Sequence, residues 1–222
     1  MKFENQIICG DCLEVMKDWP DGCVDLVLTD PPYGIGYDAS ESSQQGIQQF
    51  DMLHGDDVKF DATPFLRFSD VILWGCNNYC DSIPPTMGQW YAWDKVTKNG
   101  LKVRIAECEY AWHKCGTKPR IFRHLWSGAY RASEHGLRSV HPTQKPLALM
   151  AWCIDKSKST GLILDPFCGS GTTCVAAKML GRRYIGIDIS EEYCQIARDR
   201  LRAVDTGVPV KEARAGQGAL FE

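Results

Sequence analysis

The chain contains no run of about 18 apolar residues, so it offers no membrane-spanning helix. Its opening, Met1-Lys2-Phe3-Glu4-Asn5, lacks the apolar core of a secretory signal, and a cytoplasmic protein is the expectation. A second C-x-x-C is missing. Cys9-Gly10-Asp11-Cys12 stands alone, which leaves no paired-motif zinc site and only a weak redox signal. The eleven cysteines, without an export signal, read as reduced thiols, and no metal is expected. Basic residues are scarce early on: residues 1–94 hold 4 Lys and Arg against 16 Asp and Glu. With a net charge of −3 for the whole chain, that balance looks wrong for a nucleic-acid binder until the chain is divided.

The division shows where the positive charge went. Residues 95–146 carry 11 Lys and Arg against 3 Asp and Glu, and residues 147–222 carry 10 against 9. The middle block is basic and points to a polyanionic partner. Within it, residues 114–141 interleave Lys114, Lys118, Arg120, Arg123, Arg131 and Arg138 with Trp126 and Tyr130. Cations set among aromatics suit a phosphate backbone and its bases. At 222 residues and 44% hydrophobic, the chain can fill one core, and one domain over 1–204 is expected with a tail over 205–222.

Two stretches carry chemistry. The first is Thr29-Asp30-Pro31-Pro32-Tyr33-Gly34, after a short apolar strand at 24–28. Two prolines fix two φ angles and remove two N–H donors, so this strand end offers acceptors, a carboxylate and a flat ring. Such a site suits an aromatic ligand bearing an amino group. A Pro-stiffened turn with a surface Asp is the bland alternative. The second stretch is Asp165-Pro166-Phe167-Cys168-Gly169-Ser170-Gly171-Thr172, between a strand at 162–164 and a helix at 172–180. A further strand at 184–187 ends in Asp188. Glycines permit close backbone approach, a helix N-terminus offers N–H groups to an anion, and an acid at the next strand end suits ribose hydroxyls. No Gly-Lys-Ser/Thr follows, so this is not an ATPase phosphate loop, and the full G-x-G-x-x-G is absent.

The remaining pattern predicts strands at 6–9, 71–74, 89–94 and 106–113, and helices at 12–19, 147–157 and 190–203, with Ser190 as a plain N-cap. Residues 38–57, rich in Ser and Gln, read as a long functional loop that closes on a ligand.

These motifs, in this order, resemble the DNA amino-methyltransferases of the circularly permuted β group. Asp30 to Tyr33 is similar to their catalytic motif, Asp165 to Gly171 to their S-adenosylmethionine motif, and His141 to Pro146 to the segment before it. The resemblance spans about residues 6–203 and implies a Rossmann-like α/β fold, doubly wound, with a mainly parallel seven-stranded sheet and one antiparallel strand. It implies S-adenosyl-L-methionine as cofactor and double-stranded DNA as partner. By the same resemblance Asp11 contacts the cofactor adenine amine, the Cys12 N–H an adenine ring nitrogen, and Asp188 the ribose. Asp165 is cofactor-binding, and Phe167, Gly169, Gly171 and Thr172 line the methionine end, with Thr143 and Lys145 near its carboxylate.

The implied reaction places Asp30, Pro31, Pro32 and Tyr33 in the catalytic turn. Asp30 and the Pro31 carbonyl accept the two N–H hydrogens of an exocyclic amine and localise its lone pair, while Tyr33 stacks on a flipped-out base. Asp at the first motif position favours adenine N6; cytosine N4 is the alternative. An RNA- or protein-glutamine-methylating enzyme and a non-catalytic nucleic-acid-binding module are the remaining rivals. Arg120, Arg123, Arg131 and Arg138 are the expected DNA contacts. Without a large recognition domain, loop 38–57 and segment 114–141 are the candidates for target reading, and a solitary or phage-type enzyme fits by resemblance. The tail residues Gln217, Leu220 and Phe221 resemble a sliding-clamp peptide; packing on the protein's own core or on a homodimer partner is the competing expectation.

Overall fold

The computed structural model describes residues 2–36, 56–96, 106–127, 130–133 and 144–207. Most of loop 38–57, Thr143, Arg138 and the clamp-like Gln217, Leu220 and Phe221 lie outside the described residues.

In chain order the elements are β1 (Gln6–Cys9), α1 (Cys12–Val15), β2 (Leu26–Thr29), β3 (Val71–Trp74), β4 (Gln89–Asp94), β5 (Cys108–His113), β6 (Arg120–Arg123), β7 (Trp126–Ser127), β8 (Tyr130–Arg131), α2 (Leu147–Ser157), β9 (Leu162–Asp165), α3 (Thr172–Met179), β10 (Arg183–Asp188) and α4 (Glu191–Thr206). β7 and β8 form a separate two-stranded ribbon. The other strands form one sheet in the order β1-β10-β9-β2-β3-β5-β4-β6. β5 alone runs antiparallel to its neighbours β3 and β4; every other pairing in this sheet is parallel.

Strands β2, β3 and β9 are buried along their whole length, as continuous apolar runs in a doubly covered parallel sheet should be. Their side chains alternate between two cores. Leu26, Leu28, Ile72, Trp74 and Ile163 pack with α2, α3 and α4. Val27, Val71, Leu73 and Leu164 pack on the other face with Met16, Phe65, Phe68 and Tyr79. That second face is covered by α1 and by short 3-10 turns at Thr63–Phe65, Cys76–Asn78 and Cys80–Ser82.

Three expectations are corrected. The main sheet has eight strands among the described residues, not seven. The added strand is β6, whose Arg-Ile-Phe-Arg sequence hid it: it is an edge strand with charged ends, pairing β4 from Tyr91↔Arg120 to Asp94↔Arg123. The helix expected at 12–19 ends at Val15, because Met16 leaves helical geometry at ψ 1° and Lys17 N–H turns to the Glu14 carbonyl at 3.3 Å. Met16 and Trp19 reach the core through turns instead. The last helix runs past 203 to Thr206 and stops at Gly207, where φ is +64°. Asp205, assigned to the tail, is in that helix and pairs with Lys178.

Candidate active site

Parallel strands bring four carboxylates to one edge. Asp11 follows β1, Asp188 ends β10, Asp165 ends β9, and Asp30 follows β2. The order β1-β10-β9-β2 therefore sets side by side two motifs that are far apart in the chain, at the edge where open α/β sheets bind ligands. A direct bond joins them: Thr29 Oγ1 donates to Asp165 Oδ1 at 2.6 Å, fully buried.

The Asp30 turn is held from three sides. The Tyr33 hydroxyl donates to Asp30 Oδ1. Pro31 and Pro32 have no N–H, and the first donors after them, Tyr33 N–H and Gly34 N–H, both reach Asp56 Oδ1 at 2.8 Å. Asp56, near the end of the loop predicted over 38–57, is thus a buried clamp on the turn. Third, the Lys145 ammonium bonds to Asp30 Oδ2. The resemblance puts Lys145 at the methionine carboxylate; here it stands on the carboxylate of Asp30.

Lys145 belongs to a group of four charges, in which Lys145 and Lys95 are buried and Asp30 and Glu109 are partly buried. Its ammonium also lies 3.3 Å from Glu109 Oε2, and Glu109 Oε1 accepts from Lys95 Nζ at 2.7 Å. Burial works against the Lys145 ammonium, yet the Asp30 and Glu109 carboxylates outweigh it and raise its pKa above the ordinary lysine value. Burial likewise works against ionised Glu109, but Lys145 and Lys95 hold its carboxyl below the usual range. For Asp30, burial wins over the pull of Lys145 and pushes the carboxyl up. Glu109 and Lys95 come from β5 and the residue after β4, and no local motif announced them.

On the neighbouring strand ends, Asp188 Oδ2 accepts Gly169 N–H at 2.7 Å and Oδ1 accepts Ser190 N–H at 2.9 Å. Backbone donors thus fix its orientation. Phe167 is half-buried, its ring 5.6 Å from Phe60 and 5.7 Å from Phe65, while Phe60 packs edge-on at 4.7 Å against Tyr79. This aromatic cluster connects the two turns. Asp11 Oδ1 caps α1, accepting from Leu13 N–H and Glu14 N–H. Burial pushes the Cys12 thiol up to about 12, which keeps it neutral.

Two predicted glycine-turn residues have structural reasons of their own. Gly171 has φ +80°, and a Cβ there would stand 2.7 Å from Ala197 Cβ, so its lack of a side chain lets α4 approach. The Thr172 hydroxyl faces the buried Arg200, whose Nη1 also donates to the Ser170 carbonyl at 2.7 Å and to Ser170 Oγ at 2.9 Å. Arg200, unread in the sequence, braces the turn from α4.

The basic block divides as well. Arg120 and Arg123 lie on the edge strand β6, and the Arg123 side chain is 66% exposed with its guanidinium 3.8 Å from Asp94. Arg131 lies on β8, paired with Trp126. Lys114 turns inward, donating to the Leu66 and Phe68 carbonyls at 3.0 and 2.7 Å. With Lys95 and Lys145 also buried, part of the block's positive charge serves the interior.

Residues 87–199, more than half the chain, match the N6_N4_Mtase family, described as DNA methylase. The chain belongs to this DNA methylase family. YubD of Escherichia coli (strain K12) is 30% identical over 225 residues, covering 90% of this chain and 91% of YubD. The type II methyltransferase M.HpaI of Haemophilus parainfluenzae is 28% identical over 237 residues, covering 90% of this chain and 74% of M.HpaI. The fold is shared with the M1.HpyAVI–SAM complex, at TM-score 0.59 and 24% identity over 88% of this chain and 98% of that one. It is shared also with the PvuII DNA methyltransferase, described as cytosine-N4-specific, at TM-score 0.60 and 16% identity over 93% and 88%.

The methyl donor of this methylase family is S-adenosylmethionine. The donor set here fits it. The backbone-oriented Asp188 carboxylate suits vicinal hydroxyls, Asp11 uses only Oδ1 in its capping bonds, and half-buried Phe167 offers an apolar wall.

Proposed function

We propose that this DNA methyltransferase methylates N6 of an adenine flipped out of duplex DNA, with Asp30 and the Pro31 carbonyl receiving the amine. The supporting observation is the direct coupling of the Asp30 turn to the glycine turn across β2 and β9, through Thr29 and Asp165. Amine acceptor and methyl donor are then side by side, as an in-line transfer requires. The choice of adenine rests on Asp at the first motif position.

Bound at the Asp188–Gly169 edge, the cofactor supplies an electrophilic methyl group on a sulfonium. The protein's task is to make a poor nucleophile attack it. An exocyclic amine delocalises its lone pair into the ring, and two acceptors on its hydrogens localise that pair. Asp30 already receives Tyr33 and Lys145, one on each oxygen, and a carboxylate has about four acceptor positions, so room for the amine remains. The Lys145 ammonium favours the ionised, acceptor-only form of Asp30 against burial. At a pKa near about 4 in water, a carboxylate cannot deprotonate a neutral arylamine, so proton loss follows transfer. Asp188 holds the ribose, Asp11 and the Cys12 N–H the adenine, Phe167 and Gly169 the methionine end, and Thr172 contributes its backbone rather than its committed hydroxyl. Thr143 is assigned to the methionine carboxylate by the family resemblance alone. Arg120, Arg123, Arg131 and Arg138 contact DNA phosphates.

Incubation with labelled S-adenosylmethionine and unmethylated duplex DNA, followed by digestion to nucleosides, tests the reading. Label in N6-methyldeoxyadenosine is expected. Label in N4-methyldeoxycytidine would move the specificity to cytosine, and absence of label from DNA would sink the proposal. The tail carries a separate proposal from its sequence alone, docking of Gln217, Leu220 and Phe221 on a bacterial sliding clamp. Titration of a peptide of residues 212–222 tests it, and no binding at high micromolar concentration rejects it.

A further inference from the structure

We propose that Glu109 and Lys95 are positioning residues of methyl transfer: they balance the hold of the Lys145 ammonium on Asp30 and so set the ionisation of the carboxylate that receives the amine. The inference deepens the proposed reaction and rests on it. It starts from geometry. Lys145 Nζ contacts one oxygen of Asp30 and lies 3.3 Å from Oε2 of Glu109, while Lys95 Nζ holds the other Glu109 oxygen at 2.7 Å. The four charges alternate in sign along a line: Asp30, Lys145, Glu109, Lys95. They are contributed by four separate places in the chain, after β2, before α2, in β5 and after β4.

Taking charges largely out of water is expensive unless each is paired, and a packed apolar group would serve stability as well or better. Stability therefore gives no reason for this arrangement, whereas control of Asp30 does. Lys145 and Lys95 are each 7% exposed, so water screens the line poorly and each charge is felt by the next. Lys145 favours ionised Asp30, and Glu109 works against it both directly and by drawing the same ammonium. Lys95 in turn offsets Glu109. Asp30 is thus held between opposing influences. Among the described residues its other charged and titratable neighbours are Tyr33 on its own turn, Asp165 at the end of β9 and Tyr79 beyond β3. Both tyrosines stay neutral because burial raises them well above the ordinary phenol range.

The arrangement makes predictions of opposite sign. Glu109→Gln keeps the shape and removes the charge that opposes ionised Asp30. The acid limb of the single-turnover rate against pH should move to lower pH. Lys145→Met removes the favouring charge, so the limb should move to higher pH and the rate at pH 7 should fall by at least about tenfold. Adding Lys95→Met to Glu109→Gln restores the balance of charge and should return the limb towards its original place. A limb set by Asp165 would stay still in Glu109→Gln.

The readout is transfer of labelled methyl groups to unmethylated bacterial genomic DNA by the full chain at saturating cofactor, from pH 5 to 9. Thermal melting and cofactor binding are measured for each variant. A merely structural role would lower rates at every pH without moving the limb. If Lys145→Met fails to fold, the isosteric Glu109→Gln and the double variant decide. Movement downward in Glu109→Gln with return in the double variant supports the inference. An unmoved limb, or upward movement in Glu109→Gln, overturns it while leaving methyl transfer intact. No transfer by the unaltered protein would overturn the proposed reaction and this inference together.

Discussion

The Tyr33 ring occupies the space that a side chain on Gly75 would fill: a Cβ at residue 75 would stand 2.0 Å from Tyr33 Cε1 and 2.2 Å from Cζ. Gly75 also has φ +71°, where an L-residue is strained. The glycine after β3 thus seats the tyrosine that holds Asp30. Gly75→Ala should drive the ring out, reduce methyl transfer by about a hundredfold, and leave cofactor affinity within about twofold, because a displacement of about 1 Å at a reacting centre has that effect. Single-turnover transfer and calorimetric titration of S-adenosylmethionine check both halves. A parallel loss of cofactor binding would mean that Gly75 supports the whole edge rather than the tyrosine.

Stacking alone would make Tyr33→Phe nearly silent, and that is how the motif reads in the sequence. The structure gives the hydroxyl a charged partner in Asp30 Oδ1. A hydrogen bond to a charged group contributes about 1.5–3 kcal/mol, so Tyr33→Phe should slow transfer by roughly 10–100-fold at unchanged cofactor binding. Tyr33→Ala should lose more, since ring and hydroxyl both go. A Phe variant with the parental rate would restore stacking as the ring's whole role.

Much of this site was legible because its parts are local. Asp30 to Tyr33 and Phe167 to Gly171 each sit at a strand end that apolar periodicity reveals, and the neighbouring of β2 and β9 is what the family resemblance implies. What escaped notice depends on long-range pairing. Glu109 and Lys95 sit among exposed-looking residues of the basic block, and only the register of β4 with β5, Asp94↔Cys108 and Trp93↔Glu109, brings them together. Arg200 reads as one more cation on a charged helix until its 2.7 Å bond to the Ser170 carbonyl is seen. Strand β6 escaped because an edge strand need not alternate cleanly.

The basic block offers a test that separates surface from interior. Replacing Arg120 and Arg123 together by Gln should weaken duplex binding and reduce the log–log salt slope by about one unit for each phosphate that is no longer neutralised. Lys114→Met, which removes bonds to the Leu66 and Phe68 carbonyls, should instead lower thermal stability and leave the slope unchanged. Fluorescence-anisotropy titrations across a salt series measure the slopes. A lowered slope for Lys114→Met alone would reverse the assignment.

Asp165 lets the link between the two turns be followed by pH. Its carboxyl is buried, and burial pushes its pKa up to about 6 against the hydrogen bonds of Thr29, Thr173 and the Phe167 N–H. A folded-state pKa above the unfolded value of 3.8 means that the folded protein binds its proton more tightly. The stability it contributes is complete below about pH 4 and is lost as pH rises through about 6. The loss is on the order of 2–3 kcal/mol for a shift of about two units. Asp165→Asn retains an oxygen for Thr29 and the Phe167 N–H but cannot ionise. Its stability minus that of the parent should therefore be smallest near pH 4, increase through about pH 6, and level off above it. Urea denaturation of both proteins without cofactor at several pH values checks the difference. A difference that stays flat would show that Thr29, Thr173 and the Phe167 N–H satisfy the charged carboxylate as fully as water does. The link between the turns would then be a hydrogen-bonded anion held without electrostatic cost.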